Sequence, residues 1–174
     1  MNSSTDTLKG RPLILIDWGN TLMRDDPNTP GPMCDWPMVE AMPDAAEALC
    51  YMAAHFPVAL ATGASCSSRE QIMQALKRAG LDEWVSAIFL ASEIGSSKSS
   101  PQFYMCIAAM LEVRPEQLAM IGNDLVNDVQ PARQAGLHAY WVPEVIESGG
   151  DGELRFRLLD AARVAVRKIS EADK

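Results

Sequence analysis

The sequence predicts a three-layer α/β domain built on a central parallel sheet, and three observations carry that reading. The run Leu13-Ile14-Leu15-Ile16 is apolar without alternation, as a strand buried on both faces must be. Similar runs then alternate along the chain with segments of about a dozen residues at helical spacing, the pattern of right-handed βαβ crossovers. Finally, these strands end on polar residues, Asp17, Thr62 and the pair Asn123-Asp124, which aligns them along one rim. In open α/β sheets that rim lines the crevice where ligands bind.

Each element can be justified in turn. Residues 1–11 are polar and read as a flexible tail, leaving 12–174 as a single domain. The first strand stops at Asp17 because Gly19-Asn20 demands a tight turn. From Met23 to Pro43, prolines 27, 30, 32, 37 and 43 interrupt both ladder and helix bonding, so this insert (23–43) holds a short helix at most. Pro43 suits a first helical turn, and Ala45, Ala46, Leu49, Met52 and Ala53 continue the helical spacing to about His55. Residues 57–61 form a second strand, ending at Thr62-Gly63. A helix over 68–79 gathers Ile72, Met73, Leu76 and Ala79 on one face and stops at Gly80. Residues 85–90 form a third strand, and 91–100 a Ser-rich loop containing Lys98. Pro101 opens a helix to about Leu111; a turn at 114–117 leads into a fourth strand over 118–122. A helix over 127–135, a strand over 139–142, a loop over 148–152 and a closing helix over 154–169 complete the chain.

Composition narrows the function. A length of 174 residues suits one domain with a sizeable core, and the 48% apolar share is ordinary for a globular protein. A formal charge of −8 and a pI near 4.7 argue against a nucleic-acid partner, which needs a basic stripe. No apolar run approaches the roughly 20 residues that span a bilayer, so no membrane partner is expected. Met1 to Gly10 lacks the apolar centre of a secretory signal. Cysteines 34, 50, 66 and 106 form no CxxC pair, which fits free thiols in the cytoplasm.

The rim residues resemble a known family. Asp17-x-x-x-Thr21 after the first strand, Thr62 after the second, Lys98 ahead of a helix, and Gly122-Asn123-Asp124 with Asp128 after a later strand are similar to the four motifs of the haloacid dehalogenase (HAD) superfamily. They occur in the family's order over roughly residues 12 to 145, and the stretch from Asn127 to Leu137 is similar to the family's helix after the fourth motif. The resemblance implies a Rossmann-like fold and a phosphohydrolase in which Asp17 attacks phosphorus and becomes an aspartyl phosphate that water hydrolyses. It implies that Asn20, Thr62, Gly63 and Lys98 hold the phosphate, Lys98 as a mobile point charge with three donors. It further implies a Mg²⁺ cofactor at Asp17, the Gly19 carbonyl, Asn123, Asp124 and Asp128, screening nucleophile from phosphate.

Two positions depart from the family pattern. Where such phosphatases usually carry an aspartate that protonates the leaving oxygen, this chain has Gly19; its carbonyl keeps the metal contact, but a positioned acid contributes about 10²–10⁴ in rate. Asn123 stands where the family more often has aspartate, and either its amide or Asp124 is left to face the metal. The alternative reading is therefore a low-turnover phosphate-binding or regulatory module. Asp-Trp-Gly-Asn-Thr is partly similar to the phosphonoacetaldehyde hydrolase branch, yet residues 22–43 hold none of the lysine that branch uses.

Other residues admit simpler roles. Asp17 alone could cap a turn, Lys98 alone could be a solvated charge, and Asp124 and Asp128, four apart, could serve a helix N-terminus. Serines 65, 67, 96, 97 and 99 could donate to phosphate or simply fill loops. The short insert marks a capless member, with an open site for a phosphorylated small molecule or macromolecule, or one closed by a homodimer partner. Met33, Trp36, Met38 and Met42 would cover that site, a partner or, more simply, the domain's own core.

Overall fold

The computed structural model describes residues 3–64, 67–144 and 156–173. Five strands form one parallel sheet: β1 (Leu13–Ile16), β2 (Val58–Thr62), β3 (Val85–Leu90), β4 (Leu118–Gly122) and β5 (His138–Trp141). Their spatial order is β3-β2-β1-β4-β5. The chain thus builds outward from β1 on one side, then returns to β1's other edge with β4. That reversal between β1 and β4 is where an open α/β sheet offers its binding crevice.

Helices cover both faces: α1 (Ser3–Asp6), α2 (Ala45–Ala53), α3 (Arg69–Arg78), α4 (Ala91–Ile94), α5 (Pro101–Leu111), α6 (Gln130–Gln134) and α7 (Leu158–Ala172). Because strand side chains alternate, Ile14, Ile16, Leu60 and Ile121 pack with α2, α3 and α7, whereas Leu13, Leu15, Ala61 and Met120 pack with α5 and α6. Both sets are fully buried, which explains the unbroken apolar runs of β1 and β4.

Several expected elements shift. The flexible tail is corrected over the residues described: α1 forms, Leu8 is buried against α5's side of the sheet, and the Gly10 N–H donates to the Leu111 carbonyl at 2.8 Å. One buried leucine and one backbone bond hold a segment whose polarity alone reads as loose. The 91–100 loop begins with α4, closed by Gly95 at φ 75°. The helix expected over 127–135 splits into a π-helical turn, Leu125–Val129, and α6. The final helix begins at Leu158 and runs to Ala172; the expected loop over 148–152 and the helix start at Leu154 lie outside the described residues.

The proline-rich insert contains one 3-10 turn, Met33–Asp35, and lies on α3. Arg78 fastens it, donating to the carbonyls of Cys34 and Trp36 at 2.7 Å each. Met33, Cys34 and Trp36 are buried in the larger core, Met42 packs beside it, and Met38 is exposed. Of Met33, Trp36, Met38 and Met42, all but Met38 thus serve the domain's own core.

Candidate active site

The first carboxylate is delivered by β1, the one strand flanked by two others on each side. Asp17 is buried at the strand's end, its N–H bonded to the Ile121 carbonyl of β4 at 2.9 Å. Beyond it the chain turns sharply, with Leu22 and Met23 N–H groups both donating to the Trp18 carbonyl. This turn brings the Thr21 hydroxyl back to Asp17 Oδ2 at 3.1 Å. The same hydroxyl oxygen lies 3.2 Å from Asn123 Oδ1 and accepts the Asn123 N–H at 3.0 Å. Thr21 therefore ties the ends of β1 and β4 together, a role its place in the Asp17 motif did not disclose.

Lys98 arrives from the other direction. Ser100 accepts the Gln102 N–H and Pro101 follows as the first helical residue, so the residues just before α5 are held in a defined turn. The buried Lys98 ammonium contacts Asp17 Oδ1 and lies 2.7 Å from Asp128 Oδ1. Burial alone would lower the lysine's pKa; the charges of Asp17 and Asp128 outweigh it, raise it, and keep the ammonium protonated. For Asp128, burial together with the Asp17 charge outweighs Lys98 and pushes its carboxyl up to about 6.

Asp128 reaches this position through a backbone device. In the π-helical turn the N–H groups of Asp128 and Val129 both point at the Asp124 carbonyl, and Asp128 Oδ2 accepts the Asp124 N–H at 3.1 Å. Gly122 makes room: a Cβ there would lie 2.6 Å from the Asp128 Cγ, so any other residue would push the Asp128 side chain aside. Tyr104 from α5 supports the same turn, its hydroxyl donating to the Asn127 carbonyl at 3.3 Å, and burial raises its pKa.

The pair left open by the sequence is separated by these bonds. Asn123 sits on the Thr21 and Asp17 side. Asp124 turns instead to its own helical turn, accepting the N–H groups of Val126 (2.9 Å) and Asn127 (3.0 Å) and the Asn127 amide (2.6 Å). Partial burial would raise its pKa, but those N–H groups outweigh it and hold the carboxyl below its ordinary value. The helix N-terminal role weighed for one of the two aspartates thus belongs to Asp124.

An open cavity of about 610 Å³ exposes the assembly, lined by Asp17, Gly19, Thr62, Gly63, Lys98, Asn123, Asp124 and Asp128. Thr62 is buried, and its hydroxyl accepts the Ala64 N–H at 3.1 Å. Ser67, Ser97 and Ser99 also reach this cavity, whereas Ser65 lies outside the described residues. Asn20 does not join them. Its left-handed φ of 54° turns the side chain back onto the loop, where Oδ1 accepts the Asp25 N–H at 2.9 Å, and it lines a neighbouring groove. That corrects its expected place among the phosphate-holding residues. Asp25, which lines the main cavity, was not singled out by any motif.

The donor set fits a hard cation. Asp17 and Asp128 offer only carboxylate oxygen, and Asn123 and the Gly19 backbone can add neutral oxygens, which suits Mg²⁺ rather than a soft metal. Among the described residues no three His, Cys, Asp or Glu side chains form a metal cluster, and Mg²⁺ characteristically takes one or two carboxylates plus substrate oxygens. Two buried carboxylates share one ammonium, so the site carries excess negative charge before any phosphate enters.

Comparison with known proteins bears on the family and the fold. Residues 34–136 match the model of the haloacid dehalogenase-like hydrolases, a stretch that includes Thr62, Lys98 and Asn123 to Asp128 and begins after Asp17. The chain is 35% identical over 85 residues to a phosphoserine phosphatase of Thermus thermophilus, a match covering 44% of this chain and 34% of that protein. It thus spans about a third of this relative's length. The fold is similar to an uncharacterized protein from Listeria monocytogenes serotype 4b, with a TM-score of 0.74 at 23% identity, covering 91% of this chain and 98% of that one. It is also similar to a HAD family hydrolase from Deinococcus radiodurans solved with bound phosphate and sodium, with a TM-score of 0.66 at 19% identity over 92% and 96% of the two chains. Among the described residues no helix is long and apolar enough to cross a membrane. With its family model matched over more than half its length, the chain belongs to the haloacid dehalogenase-like hydrolases.

Proposed function

We propose that the chain is a Mg²⁺-dependent phosphohydrolase with Asp17 as nucleophile and a phosphate monoester or acyl phosphate as substrate. The observation that carries this is the Lys98 ammonium held between Asp17 and Asp128 on the floor of an open cavity. An Asp17 oxygen attacks phosphorus while the ester oxygen leaves, and water then cleaves the aspartyl phosphate. Lys98 neutralises charge on the transferring group, and the Thr62 hydroxyl with the Gly63 backbone receives its oxygens. Asp17, the Gly19 carbonyl and Asn123 would hold Mg²⁺, with Asp128 orienting Lys98 beside them. The cation supplies charge screening between carboxylate and phosphate. Phosphatase activity in the Thermus relative supports monoester chemistry, and the free thiols of Cys34, Cys50 and Cys106 support a cytoplasmic setting.

A second reading, a binding module with little turnover, is favoured by Gly19, which offers no acid. Phosphate release from p-nitrophenyl phosphate and acetyl phosphate, with and without Mg²⁺, separates the two. The enzyme reading expects Mg²⁺-stimulated turnover that falls by about 10⁴-fold or more in Asp17→Asn. Equal rates in wild type and D17N overturn it.

A further inference from the structure

A carboxyl group from elsewhere in the chain lies beside the position where Gly19 lacks a side chain. A Cβ built on Gly19 finds Asp25 as its nearest neighbour, with Oδ2 at 3.4 Å and Cβ and Cγ at 3.6 Å. A side chain at residue 19 would meet, in van der Waals contact, a carboxyl group six residues later. Nothing in the spacing of the motif signals this; the path of the loop produces it. Asn20 adopts φ 54°, its N–H donates to the Met23 carbonyl at 2.7 Å, and its Oδ1 accepts the Asp25 N–H. Those bonds fold the chain back so that Asp25 lines the same cavity as Asp17 and Lys98.

We propose that Asp25 is the general acid and base of this site, replacing the aspartate that Gly19 lacks. This rests on Asp17 acting as the nucleophile, as set out above. The neighbouring acid does not compete for the role. Asp26 accepts the Thr29 hydroxyl at 2.6 Å and the Asn28 N–H at 2.9 Å, and these bonds hold its carboxyl below the ordinary value. Arg24, next in the chain, is paired with Glu40 at 3.3 Å. Among the described residues, no group donates a hydrogen bond to the Asp25 carboxylate, and its side chain is exposed where it lines the cavity.

As an Asp17 oxygen bonds to phosphorus, the P–O ester bond breaks, its electron pair stays with the leaving oxygen, and the Asp25 carboxyl gives that oxygen its proton. Asp25, now a carboxylate, then takes a proton from the water that attacks phosphorus. The bond between phosphorus and Asp17 breaks with its electrons returning to the Asp17 carboxylate, inorganic phosphate departs, and Asp25 is protonated again.

The test compares leaving groups. With Mg²⁺, wild type, D25N, the G19D/D25N double variant and D17N are assayed on glycerol 2-phosphate, whose alkoxide needs a proton, and on p-nitrophenyl phosphate, whose phenolate needs little. D25N is expected to lose about 10²–10⁴ in kcat/KM on the alkyl ester and less than about tenfold on the aryl ester. G19D/D25N, with a carboxyl restored beside the same site, is expected to recover at least about tenfold of the alkyl activity. Equal losses on both esters, or D25N within about twofold of wild type on the alkyl ester, overturn the role of Asp25 while leaving Asp17 untouched. Wild-type activity that matches D17N on both esters overturns the nucleophile reading and this one with it. Asp25 makes no side-chain hydrogen bond that folding depends on, so the D25N chain is expected to fold as wild type does.

Discussion

The inner half of the cavity and its outer half are built on opposite terms. Inside, Asp17, Thr21, Lys98, Asn123 and Asp128 come from the ends of β1 and β4 and the start of α5, and they are mutually bonded and mostly buried. Outside, Asp25, Asp26, Thr29 and Trp36 come from one irregular insert that Arg78 fastens to α3. The inner groups cannot move independently, because each satisfies the charge or hydrogen bond of another. The outer groups are bonded within their own loop and can change without unfolding the sheet. On the proposed function, phosphate handling falls to the mutually bonded rim and leaving-group preference to the insert.

The largest expected effect breaks the inner half. Lys98→Ala strands two buried carboxylates without their shared cation, which costs about 3–5 kcal/mol, measured as the fall in unfolding free energy in urea. A loss below about 1 kcal/mol would mean that the inner half is not interdependent. Gly122→Ala comes next: the added methyl collides with Asp128 and costs about 1–3 kcal/mol in the same measurement.

A smaller effect sharpens the picture through pH. Burial and the Asp17 charge raise the Asp128 carboxyl to about 6, so the folded chain binds that proton more tightly than the unfolded one. Its favourable contribution is complete below about pH 4 and is lost as pH rises through about 6. Without Mg²⁺, the urea midpoint of wild type relative to Asp128→Asn should therefore fall between pH 4 and 7. A flat difference would place the Asp128 carboxyl at its ordinary value.

The smallest effect concerns the outer half. Arg78→Ala releases the carbonyls of Cys34 and Trp36 to water and should cost only about 0.5–1.5 kcal/mol, read from the same urea curves. It should nonetheless raise the protease sensitivity of residues 24–43 well before global unfolding. Uniform protection of insert and core would contradict the division drawn here.

Much of the inner half was legible in the sequence. Asp17, Thr62, Lys98 and Asp128 each follow or precede an element whose apolar pattern is unambiguous, so position along the chain implied position on the rim. Asn20 misled because its motif neighbours Asp17 and Gly19 line the cavity, whereas its left-handed backbone turns it away. Asp25 and the anchoring of Leu8 had no pattern to announce them; both depend on how an irregular segment lies against a distant surface. Asp124 and Asn123 are adjacent and chemically alike, and only the π-helical turn separates their directions.

Local periodicity was enough to specify the parallel α/β architecture, the family resemblance and the rim on which the acids and lysine gather, because strand burial and helix spacing are written in it. Tertiary structure alone decided that one ammonium joins Asp17 to Asp128, that Asn123 faces Asp17 while Asp124 caps its own turn, and that Asp25 fills the space beside Gly19. Those meetings depend on the relative placement of β1, β4 and the loops that leave them, and no local pattern encodes the distance between side chains that the fold brings together across the sheet.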